Sequence, residues 1–376
     1  MNKRILYIGG FTMPDGNAAA QRVLGIAKIL RDCSYDVKFC GLKNLPNNKI
    51  DEGEIDEFQY INYPYPCTFK NWLSYLRGRD GMLDEIKKYN PEIVILYNHP
   101  AIASEYITKY CHRNHIRVLG DVTEWYVPYG NPIFKIIKGF DIKRRMYHSL
   151  LRLDGLICIS SYLTKFYRDK GCHVVEIPPL VDLKQSKWHQ PKSSSYDGKR
   201  IIYAGSPSDN KDRLDLIIQA MDEIPDNLKK DIKFEVFGLT EEQYQKKWND
   251  KKKREYVIFR GRVSHNNVIA HLTNADFQIF LRPDTLQNKA GFPTKFVETI
   301  SSCTIPITNL NSNIGQYVKD GINGFIVEQI DKDSIKSTLC RALSLDREGI
   351  EEIKNNIDTN IFHYEFYLTA LDTLLQ

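Results

Sequence analysis

The chain has 376 residues, 42% hydrophobic and 26% charged, with a formal net charge of +5. That length exceeds one ordinary domain and predicts two, each with its own core, in a composition that is globular rather than disordered. The weak positive balance falls short of a dedicated nucleic-acid binder, and no run of about 20 apolar residues is present to span a membrane.

The opening MNKRILYIGG reads as a short strand without the apolar core and cleavage site of a secretory signal, so a cytoplasmic chain is expected. Ala19, Val23, Ile26 and Leu30 then fall on one helical face. The intervening GGFTMPDGNAAAQR lacks the GxGxxG spacing of a dinucleotide site. Gly16 and Asn17 stand at its helix start, where they either approach a sugar or acceptor or simply cap the helix. DVKFCG, EIVILYN, RVLGDVTEW, GLICIS and VVEIPPL read as further strands, with a helix over 101–114. Runs this apolar are buried on both faces, which predicts a parallel sheet covered by helices.

Such sheets bind ligands beyond the carboxyl ends of their strands. His99 follows EIVILYN and is either an acceptor contact or a structural histidine. Asp121 and Glu124 lie three apart in DVTEWY. Carboxylates there can hold an acceptor hydroxyl or take its proton; the other reading is a helix cap or structural carboxylate. Residues 131–153, NPIFKIIKGFDIKRRMYHSLLRL, mix Ile136, Ile137 and Phe140 with Lys135, Lys138, Lys143, Arg144 and Arg145. That pattern suits either an anionic membrane surface or a helix packed on its own domain. The eight cysteines form no CxxC pair, and reduced, buried thiols are expected.

Residues 177–200, IPPLVDLKQSKWHQPKSSSYDGKR, read as an interdomain linker. The pattern restarts with RIIYAGS and a helix presenting Leu214, Ile217, Ile218 and Met221 on one face. IKFEVFG, YVIFRG, DFQIFL, TIPIT and GFIV follow as strands. KKWNDKKKRE reads as a solvated helix face, and Asp331–Asp333 as a helix cap rather than a metal-binding DxD.

The segment AGFPTKFVETISSCTIPITN, residues 290–309, predicts a turn, a helix and a strand. Gly291 lets backbone approach a ligand, and Pro293 suits the first helical turn. The turn's free amides and the helix dipole form an anion site, to which Lys295 adds a full charge. Glu298 lies about one turn further along the same face, where a carboxylate can accept two hydrogen bonds from a vicinal diol. The pattern fits a nucleoside diphosphate lying along the helix; a routine helix with a surface Lys295–Glu298 pair is the alternative.

YAGS…NKDRLDLIIQAM, VIFRGRVSHNNVIAHLTNADFQIFLRP, GFPTKFVETISSCTIPIT and VKDGINGFIV together resemble the C-terminal half of GT-B retaining glycosyltransferases of the group 1, family 4 type. GNAAAQRVLGIAKILRDCSYDVKFCG resembles that family's acceptor domain. The resemblance implies an α/β fold of two Rossmann-like domains facing across a cleft. Residues 1–180 would bind acceptor, with a C-terminal helix over 361–376 packing back on them, and 181–360 would bind the nucleotide-sugar donor. It implies that Glu298 holds the ribose, and that Lys295, Gly291 and the amides near Phe292 and Thr294 face the diphosphate and sugar. Gly205, Ser206 and the loop to Lys211 would supply further phosphate contacts, Arg260, Gly261, Arg262 and Val263 the base site, and Arg282 a second phosphate or sugar contact. Lys211 and Lys295, with Asp121 and Glu124, are the residues it implies for catalysis; Gly16, Asn17, His99 and Glu124 would meet the acceptor. Three positions depart from the family pattern: Ala290 for a glutamate, Ser206 for an arginine, and Cys303 for a glycine.

The implied activity is sugar transfer from a nucleoside diphosphate to an acceptor hydroxyl with retention, needing neither metal nor cofactor. The acceptor would be a saccharide or lipid-linked saccharide in cell-surface polysaccharide or lipopolysaccharide assembly, met in the cytoplasm or at the inner face of the membrane, with no nucleic-acid partner. A GT-B epimerase, an inverting transferase and a non-catalytic nucleotide-sugar-binding paralogue are the alternatives.

Overall fold

A computed structural model describes residues 3–14, 17–45, 49–77, 81–128, 130–191, 198–207 and 212–376. The chain divides into two units. The first holds residues 1–180, 290–292 and 364–376, and the second 181–289 and 293–363.

The first unit is built on an eight-stranded sheet. Its order is β3 (Asp51–Ile55), β4 (Phe58–Pro64), β2 (Tyr35–Lys43), β1 (Lys3–Gly9), β5 (Ile93–Tyr97), β6 (Arg117–Val122), β7 (Gly155–Cys158) and β8 (Val174–Glu176). All neighbours are parallel except the β3–β4 hairpin, which the apolar-run reading did not anticipate. β3 carries three exposed residues, Glu52, Gly53 and Glu54, so it has no apolar run to find. β1 and β5, by contrast, are buried from Ile5 to Gly9 and from Ile93 to Tyr97, as two-sided burial requires.

The helix Ala18–Asp32 buries Val23, Ile26 and Leu30, and Asn17 caps it by accepting from the Ala20 N–H at 2.9 Å. The same core takes in Leu371, Leu374 and Leu375 of the last helix, Leu368–Leu375, which starts later than expected behind a 3₁₀ turn at Tyr364–Tyr367. Arg117 Nη2 donates to the Leu374 carbonyl at 2.9 Å, satisfying an acceptor at that helix's end. All eight cysteines are free; Cys40, Cys111 and Cys158 are buried, but Cys67 is exposed, against expectation. Burial pushes the Cys111 thiol up to about 12.

The second unit carries a six-stranded parallel sheet in the order β11 (Val257–Gly261), β10 (Ile232–Phe237), β9 (Lys199–Ala204), β12 (Phe277–Phe280), β13 (Ile305–Thr308) and β14 (Phe325–Ile326). Part of the expected linker belongs to this core. Trp188 is buried against Ile202, Phe237, Ile269 and Leu272, and Val181 donates its N–H to the Phe362 carbonyl. The linker's serine run lies outside the described residues. Asp331 caps the helix Lys332–Leu343 through the Ser334 N–H at 2.8 Å. The basic stretch at 246–255 is mostly exposed, as expected, but helical only to Trp248; within it Arg254 pairs with Asp222 at 2.8 Å and Asp250 at 2.7 Å.

Candidate functional site

At the end of β6 in the first unit, Asp121 does not offer a free carboxylate. Arg22 grips it through Nε and Nη2 at 2.9 and 2.7 Å, and the Tyr7 hydroxyl donates to Oδ2 at 2.6 Å. Arg22 Nη1 also donates to the Ile177 carbonyl. The side chains of Arg22 and Asp121 are 4% and 0% exposed. A buried carboxylate bound this fully is a structural group, which corrects its expected catalytic role. His99 is likewise buried, its Nδ1 3.3 Å from the Tyr75 hydroxyl. Burial, with Arg145 beside it, holds the imidazole down to about 3, so it stays neutral. That makes it a packed structural ring rather than an open acceptor contact. Glu124 lies past the strand end, half-buried; burial raises the Tyr97 and Tyr126 hydroxyls, and the Glu124 charge adds to both. Asn17 serves as a helix cap, and Gly16 lies outside the described residues.

In the second unit every strand of the sheet runs the same way, so the segments after β9, β11 and β12 gather at one edge. The helix Thr294–Ser301 starts there, one residue later than expected, with Pro293 at the cap position and no side chain closing its first turn. Phe292 and Gly291 are buried, while Thr294 is exposed. Uncapped first-turn amides with the helix dipole behind them form an anion site.

Lys295 sits in that first turn. Its Nζ lies 2.5 Å from Asp212 Oδ2 and 3.3 Å from the Tyr203 hydroxyl, which itself donates to Asp212 at 3.1 Å. The amine also stands 4.5 Å over the Tyr203 ring. Burial lowers its pKa, Asp212 opposes that, and nearby Arg282 adds to the depression. The lysine side chain keeps 18% of its surface exposed. Gly205, at φ 150°, makes room for it: a Cβ there would lie 2.3 Å from the amine. The structure therefore brings Lys295, Gly205 and Arg282 together. Ser206 is exposed, and Lys211 lies outside the described residues.

One turn further, Glu298 Oε1 accepts from His265 Nε2 at 2.9 Å. Among the described residues its other oxygen has no hydrogen-bond partner. Arg282 Nη2 donates to Asn288 at 2.8 Å. Arg260 is committed elsewhere: Nε and Nη2 reach Glu235 at 2.8 and 2.6 Å. Burial would raise Glu235, but His271 and Arg260 bring it down to about 2. The guanidinium is thus a structural counter-ion; of the residues after it Gly261 is buried, and Arg262 and Val263 are exposed. Cys303, where the family pattern has glycine, adopts φ 55°, in the left-handed region. Sequence reasoning missed Arg22, Asp212, Tyr203 and His265; only Arg22, a lone cation on an apolar helix face, left a local signal.

Residues 184–360 match the family described as Glycosyl transferases group 1. No curated protein matches the sequence. Among solved structures the chain is similar to a sucrose-phosphate synthase from Thermosynechococcus elongatus, with 13% identity, a TM-score of 0.72, and 99% of this chain and 98% of that one covered. It is similar to the lipopolysaccharide outer core galactosyltransferase WaaB in its apo form, at 15% identity and TM-score 0.66, with 99% of both chains covered. HepE from Anabaena, in complex with UDP and glucose, aligns at 11% identity and TM-score 0.68, again over 99% of both chains. These likenesses show the fold, which is GT-B. Residues 184–360 thus match a group 1 glycosyl transferase domain carried on a GT-B fold, and that match supports a transferase enzyme.

Proposed function

We infer that the enzyme moves a sugar from a nucleoside diphosphate, UDP in the first instance, to an acceptor hydroxyl, with retention at the anomeric carbon. The observation that carries this is the Thr294–Ser301 helix: an uncapped first turn, a partly exposed Lys295 in it, and Glu298 one turn beyond. The diphosphate lies against the amides and Lys295, with Arg282 and Gly205 beside it. The ribose diol meets the Glu298 oxygen that His265 leaves open. Stabilising a departing diphosphate with fixed amides and cations is the main catalytic contribution such a site makes. In this reading protein groups meet that charge and no metal or cofactor is called for.

The bound UDP of HepE supports the base, and WaaB supports a cell-surface saccharide setting. The acceptor is a saccharide or lipid-linked saccharide bound by the first unit, with Glu124 at its hydroxyl, on the cytoplasmic side of the membrane. Retention rests on the resemblance to family 4 enzymes.

Thermal unfolding with UDP, GDP, ADP and dTDP tests the reading. A ligand at 100 times its dissociation constant adds about 2.7 kcal/mol of stability. UDP should give the largest shift, and Glu298→Ala should weaken that binding roughly ten-fold while the unliganded protein unfolds as before. No shift with any nucleotide, or full affinity in the variant, would overturn it.

A further inference from the structure

The helix Pro132–Arg144 is built inside out. Its Ile136, Ile137 and Phe140 are 74%, 63% and 65% exposed, and Phe134 is exposed beside them. Its one acid, Asp141, turns inward and accepts from the Ala101 N–H at 2.8 Å. Only Ile142 among its described apolar side chains is buried. Ile136, Phe140 and Lys143 recur at i, i+4 and i+7, so they share one side of the helix, and Lys135 is exposed next to them. The next residue, Arg145, does not belong to this surface: it is buried, donating to the Asn98 carbonyl at 3.0 Å and lying 4.1 Å over the Tyr126 ring.

The face continues onto neighbours. The helix Ala101–Arg113 packs against this one and exposes Ile102 and Tyr106, one turn apart. Its Glu105 is held by Arg144 at 2.6 Å and by Ser149 at 2.7 Å, while Lys109 is exposed. The helix Phe69–Leu76 packs on Ala101–Arg113 in turn and exposes Leu73 and Lys70. Large apolar side chains clustered on one surface mark a docking site. Here they are interleaved with lysines, while the nearby acids Asp141 and Glu105 are already bonded. A second copy packed symmetrically on this face would bring two sets of these lysines together with no exposed acid of the face between them. An anionic lipid surface takes both parts, apolar side chains below the headgroups and lysines among the phosphates. No helix among the described residues is long and apolar enough to cross a membrane, so contact here is peripheral.

We propose that these three helices of the first unit form a docking face for an anionic lipid bilayer, with Ile136, Ile137 and Phe140 as its apolar centre. The inference deepens the reading of a lipid-linked acceptor, which such a face would bring within reach of a membrane-bound enzyme. Its evidence is separate from the donor site.

The test is co-sedimentation of the full chain, without nucleotide or acceptor, with vesicles of phosphatidylcholine and phosphatidylglycerol in equal parts, and with vesicles of phosphatidylcholine alone. The chain should bind the mixed vesicles and leave the neutral ones largely free. Ile136→Ser with Phe140→Ser should weaken binding at least about ten-fold. Lys135→Ala and Lys143→Ala should each cost about five-fold, an effect that high salt mimics. Nucleotide-induced thermal shifts should be unchanged in all of these variants, which separates a failure here from a failure of the donor site. Equal binding to both vesicles, unchanged binding by the serine variant, or a dimer that this variant dissociates would each overturn the proposal.

Discussion

The two units repeat one small motif with opposite outcomes. In each, a tyrosine on the unit's central strand donates to an aspartate that pairs with a cation from a helix: Tyr7, Asp121 and Arg22 in the first, Tyr203, Asp212 and Lys295 in the second. The first set is closed. Arginine takes both carboxylate oxygens, its remaining nitrogen reaches backbone carbonyls, and nothing is left for a ligand. The second is open on one side, because a lysine makes a point contact with one oxygen and keeps part of its surface exposed. The same charges can therefore lock a sheet edge or leave a cation ready for an anion; the planar fork and the depth of burial decide which.

The strongest way to break that comparison is Arg22→Ala. It leaves Asp121 buried without its partner and should cost about 4 kcal/mol, read by urea unfolding. A loss below about 1 kcal/mol would mean the first set is not a lock.

Acid should act on the first unit next. The folded pKa of His99 is depressed to about 3, below its usual 6.5, so between those values the unfolded chain binds more protons. The share that rests on neutral His99 is complete above pH 6.5 and should be lost as pH drops toward 3, by roughly 4 kcal/mol. His99→Gln, which cannot titrate, should flatten that slope in a pH series of melting curves.

Lys295→Ala sharpens the contrast. It should weaken UDP binding by about 2 kcal/mol, roughly thirty-fold by calorimetry, yet destabilise the fold less than Arg22→Ala, since this edge is partly solvated. Equal stability losses in the two variants would erase the distinction between lock and open site.

The smallest effect belongs to Cys303. At φ 55° just past the Thr294–Ser301 helix, a glycine is relieved of the Cβ clash, and Cys303→Gly should stabilise the second unit by about 1 kcal/mol in thermal unfolding. No gain would mean that the Cys303 thiol's contact with the Lys354 carbonyl offsets the strain.

The alternation of strands and helices was legible because fully buried strands such as Ile93–Tyr97 must be continuous apolar runs. The helix after Pro293, its lysine and its glutamate could also be read locally, since three and four residues fix a helix face whatever surrounds it. The edge strand β3 escaped, because an exposed edge strand needs no apolar signature. So did the partners that decide each charge. Arg22 lies 99 residues from Asp121, Asp212 lies 83 from Lys295, and His265 lies 33 from Glu298. Local chemistry set which residues stand at the sheet edges. Folding alone determined which carboxylates were already taken, because ion pairing and burial depend on distances that only the packed chain establishes.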